Sequence, residues 1–267
     1  MRSELTAAEL DAYRRDGFVV VPGFLDATEL DGWRAVFDAA VAARRGRRFS
    51  DTSVAIESDV DDAFYSRVFD QLVNLWQTDD AMRALILDER IGRMAATLAG
   101  VDGVRVWHDQ ALIKQPFGNP TAFHLDVPYW SFTSDRAISI WIALDDATET
   151  NGCLYFVPGS HRETAEDNVG IGPNVGAIFE VYPELARQPR SGAMRAGDCS
   201  FHNGMTIHGA GANMTDRPRR AMTCAFMPDG CVFNGRQNIL TDEQVARLHI
   251  GDPLDDPRQN PLTYAAR

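Results

Sequence analysis

Lysine is almost missing from this chain: of its 26 basic residues only Lys114 is a lysine, the rest being arginine. Positive charge as a whole is in short supply, because 38 acidic residues leave a formal net charge of -12. Nucleic acid is therefore not an expected partner, since its phosphates need a basic stripe. The single arginine cluster, RRGRR at Arg44–Arg48, reads as a solvated helix end. No run of 18 apolar residues occurs, which excludes a hydropathic membrane-spanning helix. The N-terminus carries no apolar segment of secretory type, so a cytoplasmic protein is expected. Four cysteines, Cys153, Cys199, Cys224 and Cys231, form no CxxC pair and read as reduced, mostly buried thiols.

What is present suits an enzyme-sized globule. The chain has 267 residues, 45% hydrophobic and 24% charged, enough for one large domain over residues 1–267. Residues 1–102 read as mainly helical. Thr6 and Glu9 form a capping-box pattern, Gly17 marks a stop, and FVVVPGF is a short strand broken at Pro22. Asp26 then caps a helix that places Leu30, Trp33, Phe37 and Val41 on one face, and two or three more helices are expected over 61–99. From Gly103 to 230 short β-rich runs alternate with Gly, Pro, Asn and Asp, the pattern of an antiparallel sandwich or barrel. Residues 231–267 form a tail with a short helix at TDEQVARL. The expected class is α+β, helices packed outside a β core.

The stretch TAFHLDVPYW holds the strongest chemical signal. On a strand, residues two apart share a face, so His124 and Asp126 should point together, away from Phe123, Leu125 and Val127. A carboxylate in such an apolar run is costly unless paired or bound to a metal. One imidazole and one carboxylate are two ligands of the 2-His-1-carboxylate triad that leaves open positions on Fe(II). Two histidines compete for third ligand in GDCSFHNGMTIHGAG, His202 and His208. His208 is preferred because it precedes a glycine-rich strand end; His202 is then a hydrogen-bonded neighbour. In RPRRAMTCAFMP, Arg219, Ala221, Thr223 and Ala225 share a face on which a guanidinium could hold a dicarboxylate.

The ordered set FHLDVPYW, GCLYFVPGSH, GD before the distal histidine, HGAG and RPRRA resembles the phytanoyl-CoA dioxygenase family over residues 8–230. The resemblance implies a double-stranded β-helix (jelly-roll) core and Fe(II)/2-oxoglutarate chemistry with O2. It implies His124, Asp126 and His208 as iron ligands and Arg219 on the distal carboxylate of 2-oxoglutarate. It points to Lys114 and Trp141 beside that co-substrate, with Ser139 on the same strand face as Trp141, and to Gln110 and Trp130 toward the substrate. Tyr129 joins Trp130, Phe123 and Phe132 in an aromatic group near the ligands. Leu125 stands where many relatives have glutamine and Ala210 where many have serine; neither change removes a ligand.

The expected reaction is hydroxylation, or another oxidation, of an unactivated C–H bond in a small metabolite, releasing succinate and CO2, with secondary metabolism as the expected setting. Halogenating relatives replace the carboxylate with a small residue, so Asp126 argues against halogenation. Two alternatives stay open at this stage: a metal-dependent oxygenase that does not use 2-oxoglutarate, and a non-catalytic ligand-binding β-barrel with structural histidines. His108, His161 and His249 read as structural or exposed, and the protein as monomer or homodimer.

Overall fold

The computed structural model describes residues 1–44, 64 and 66–266, so of the arginine cluster only Arg44 is covered. Helix α1 (Ala7–Asp16) starts on the reciprocal Thr6–Glu9 capping box and ends at Gly17, whose φ of 79° lets the chain turn directly into a strand. Helix α2 (Ala27–Arg44) begins the same way, with the Glu29 N–H donated to Asp26 and the Asp26 N–H to Glu29. It buries Leu30, Trp33, Phe37 and Val41. Helices α3 (Asp80–Ile86) and α4 (Glu89–Ala99) follow, capped by Asp79 and Asp88.

Eleven strands among the described residues form two antiparallel sheets. The larger runs β1 (Phe18–Val21), β8 (Cys199–Asn203), β5 (Ile138–Ala143), β10 (Arg219–Pro228), β3 (Gly103–Lys114) and β11 (Leu262–Ala265), with β2 (Asp70–Val73) also on β3. The smaller runs β4 (Thr121–His124), β9 (His208–Ala210), β6 (Leu154–Phe156) and β7 (Arg190–Gly192). Side-chain alternation assigns the two faces of the large sheet. Ile138, Ile140 and Ile142 of β5, with Met222, Cys224 and Phe226 of β10, pack into the core shared with α1, α2 and α4. Ser139, Trp141, Arg219 and Thr223 look the other way, into a cavity walled on its far side by β4 and β9. The antiparallel β core with external helices matches the strand pattern, and its jelly-roll form is the one the family resemblance implies.

Two segments differ from the sequence expectation. Residues 70–73 lie in a region expected to be helical, yet they form β2, paired from Asp70↔Ile113 to Val73↔Gln110. Four residues are too few to display a period, and the free edge of β3 decides their conformation. The C-terminal segment returns as β11 on the other half of that edge. Its expected helix is a single capped turn, Asp242–Val245.

A β-bulge interrupts the β3–β10 ladder: Ala225 pairs with His108 but Phe226 with Val106, leaving Trp107 extra. Adjacent residues Trp107 and His108 consequently both face inward, Trp107 against Phe132 and His108 into the cavity. The four cysteines are free. No helix among the described residues is long and apolar enough to cross a membrane.

Candidate active site

Strands β4 and β9 pair with His124 directly opposite His208, ring centroids 4.4 Å apart. The strand stops at His124, however. Asp126 has φ -82° and ψ -53° and heads a one-turn helix at Val127–Tyr129. The Asp126 and Val127 N–H groups both donate to Gly204 O, which anchors this turn. The shared strand face inferred from the sequence is thus corrected: a turn, not strand alternation, delivers the carboxylate. Asp126 Oδ1 still lies 3.6 Å from His124 Nε2 and 3.8 Å from His208 Nε2. One ligand atom from each of the three side chains falls within 4.8 Å of the others.

The tautomers follow from the backbone. His124 Nδ1 is 2.8 Å from Ala122 O and His208 Nδ1 is 3.0 Å from Thr206 O. A carbonyl only accepts, so both Nδ1 atoms carry the proton and both Nε2 lone pairs face Asp126 Oδ1. Three electron-rich atoms turned toward one point with no proton among them fit a cation, and the carbonyl contacts are the supports that metal-binding histidines need. The other carboxylate oxygen is held apart: Ser139 Oγ donates to Asp126 Oδ2 at 3.2 Å, and His202 Nε2 lies 3.2 Å from the same atom. Burial opposes the Asp126 charge, but the surrounding imidazoles outweigh it and keep the carboxyl well below its usual pKa. Burial pushes His208 down to about 3, against the pull of Asp126, so its imidazole is neutral. His202 is the hydrogen-bonded neighbour that the sequence suggested.

At the other end of the same cavity lies Arg219, 2% exposed. Its Nη2 donates to Gly152 O at 3.2 Å, whereas Nε and Nη1 are buried without a partner. Its Cζ sits 5.0 Å from the centre of the Trp141 ring. Burial lowers its pKa from 12.5 to about 10. Orphaned, desolvated guanidinium N–H groups aimed into a cavity are the fit expected for a carboxylate. Lys114 is the strand neighbour of Arg219 and is fully buried, with burial and the Arg219 charge lowering its pKa to about 7. Its ammonium donates to Asn119 O at 2.7 Å, and it does not line the cavity.

The cavity, about 1130 Å³ including its open mouth, brings together nine of the ten residues singled out from the sequence: His124, Asp126, His208, Arg219, Trp141, Ser139, Gln110, Trp130 and Tyr129. Phe132 is buried in the core and Phe123 packs at 5.4 Å from Phe179, so neither forms the wall. His249 is on the surface beside Asp252. Thr223 lines the cavity as well, and His108, Asn238 and Ile239, which also line it, were missed. Thr223 was legible from the Arg219 face; His108 was hidden by the bulge, and Asn238 by its place in the tail.

Known proteins place this geometry. The model of the phytanoyl-CoA dioxygenase (PhyH) family matches residues 13–221. An ectoine dioxygenase of Halomonas elongata is 32% identical over 270 residues, covering 91% of this chain and 74% of that protein. Among solved structures, the non-heme alpha ketoglutarate dependent carbocyclase SnoK from nogalamycin biosynthesis aligns at a TM-score of 0.78 and 28% identity, covering 97% of this chain and 96% of that one. The epimerase SnoN, in complex with Fe3+, alpha ketoglutarate and nogalamycin RO, aligns at a TM-score of 0.73 and 29% identity, covering 96% and 97%. This chain belongs to the phytanoyl-CoA dioxygenase family.

Proposed function

We propose that this chain is a non-haem Fe(II)- and 2-oxoglutarate-dependent dioxygenase that oxidises an unactivated C–H bond of a small molecule, releasing succinate and CO2. One observation carries the reading: a converging His124–Asp126–His208 set and the half-partnered Arg219 guanidinium occupy the same cavity. An oxygenase without 2-oxoglutarate has no use for that arginine, and a ligand-binding barrel has no use for the triad.

Fe(II) held here with 2-oxoglutarate would activate O2, the oxidant that no side chain can replace. His124 and His208 present Nε2 because Ala122 and Thr206 carbonyls fix their tautomer. Ser139 and His202 hold Asp126 Oδ2, which leaves Oδ1 facing the two Nε2 atoms as the oxygen that would hold the metal. Arg219 would receive the distal carboxylate of 2-oxoglutarate, with Trp141 as the flat wall beside it and Lys114 behind it, its nitrogen turned to Asn119 O. Gln110, Tyr129 and Trp130 line the part of the cavity left for substrate. With Asp126 filling the carboxylate position, hydroxylation rather than halogenation is the outcome read here.

The test is an anaerobic titration of the protein with Fe(II) and 2-oxoglutarate. The reading requires a weak visible charge-transfer band that is lost in Asp126→Ala, and succinate formation on admitting oxygen. Absence of both the band and the succinate overturns it.

A further inference from the structure

The cavity holds a histidine that the metal centre does not use. His108 is 5% exposed, lines the cavity, and buries Nδ1 without a hydrogen-bond partner. It points inward because the bulge at Trp107 shifts the alternation of β3. The Trp130 ring meets it edge-on, centroids 6.0 Å apart and planes at 85°, which confines the imidazole plane. A second polar group arrives from the C-terminal segment. Asn238 takes a left-handed backbone, φ 43°, and its Oδ1 accepts the Trp107 Nε1–H at 3.3 Å. That leaves its amide Nδ2 for a ligand, since Asn238 also lines the cavity. Residues held in this region of backbone space cluster at ligand sites.

We propose that His108 is the hydrogen-bonding anchor of a substrate subsite for a ring compound carrying a neutral hydroxyl or keto oxygen, with Asn238 as its second polar contact and Trp130 as its aromatic wall. Burial pushes the His108 pKa down to about 4, so the imidazole is neutral at pH 7 and offers one donor and one acceptor. Such a group pairs with a neutral oxygen function and gives an anion no countercharge. The flat, rigid indole of Trp130 suits a ring skeleton, and Ile171 and Ile239 add apolar surface without polar demands. The inference deepens the dioxygenase reading and rests on it only in taking this region of the cavity as the substrate's.

The experiment uses the full chain without metal, 2-oxoglutarate or turnover. Two probes of the same ring skeleton, 1-naphthol and naphthalene, are titrated against 15N-labelled protein. Binding is read from the indole N–H signals, with Trp107, Trp130 and Trp141 near the cavity and Trp33 and Trp76 in the helical-side core as controls. 1-Naphthol should shift the Trp107 and Trp130 signals and bind about five- to tenfold more tightly than naphthalene, the value of one neutral hydrogen bond. His108→Phe should erase that preference while leaving naphthalene affinity unchanged; His108→Gln should restore part of it and serves if the phenylalanine variant does not fold. Equal affinity for the two probes in the unaltered protein, equal loss of both in the variant, or no binding of 1-naphthol overturns the subsite. Discrimination between probes without succinate formation would sink the dioxygenase reading alone. Succinate formation without discrimination would sink the subsite alone.

Discussion

Replacing Arg219 by methionine should make the free protein more stable and its complex with 2-oxoglutarate far weaker. The guanidinium is 2% exposed, makes one hydrogen bond, to Gly152 O at 3.2 Å, and leaves Nε and Nη1 unpartnered. The fall in its pKa from 12.5 to about 10 corresponds to roughly 3 kcal/mol against the charged form. Methionine keeps an unbranched stem against Trp141 and removes that penalty, losing one long hydrogen bond and the cation–π contact, together about 1.5 kcal/mol. The net gain of about 1–2 kcal/mol should raise the melting temperature by about 2–6 °C. Truncating one partner of a buried charge pair costs about 2–5 kcal/mol in binding, so affinity for 2-oxoglutarate should fall roughly thirty- to several-thousand-fold. Differential scanning fluorimetry under anaerobic Fe(II) reads both effects. At a hundred times its Kd, 2-oxoglutarate adds about 2.7 kcal/mol to the unaltered protein, a shift of roughly 5–10 °C, and almost nothing to the variant. A variant that melts below the parent yet keeps the co-substrate shift would refute the assignment of Arg219.

Three further outcomes are expected. His202→Leu leaves Asp126 Oδ2 with Ser139 alone, and anaerobic calorimetry with Mn(II) should show affinity reduced about 10- to 100-fold; an unchanged affinity would mean that His202 does not orient the carboxylate. Burial lowers His108 to about 4 from 6.5, so the unfolded chain takes up the proton first and stability is lost as pH falls through that window. Urea midpoints at pH 7 and pH 5 should show the parent losing roughly 2 kcal/mol more than His108→Phe, and parallel losses would contradict the buried neutral imidazole. In Gly209→Ala the new Cβ would stand 2.8 Å from Thr121 O and 3.3 Å from Phe123 N, wedging β4 from β9 beside His208. A loss of about 1–3 kcal/mol together with weaker metal binding is expected, and a variant that melts with the parent would show that the strands can part without cost.

Local signals carried much of the architecture. Thr6 with Glu9, Asp26 and Gly17 announced helix ends that the structure reproduces, because a cap needs only residues within one turn of itself. The alternation in SIWIAL and RRAMTCAFMP sorted Ser139, Trp141, Arg219 and Thr223 from their core-facing neighbours, because strand geometry is strictly twofold. Segments without a period of their own were the ones misjudged. β2 takes its conformation from the edge of β3, and Asn238 enters the cavity through a tail with no strand-like pattern.

The candidate site divides the same way. Which residues are candidates was readable from the sequence: His124, Asp126, His208 and Arg219 stand out by type and order along the chain, and they line one cavity. How they meet was not. Asp126 comes round on a turn held by Gly204, two buried neighbours claim its second oxygen, and Lys114 spends its ammonium on Asn119 instead of facing the cavity. His108 owes its inward aim to a single unpaired residue in a ladder formed with a strand more than a hundred residues away. Short-range chemistry is written in neighbouring letters, whereas ring direction and proton position depend on carbonyls and strands that only folding brings within reach.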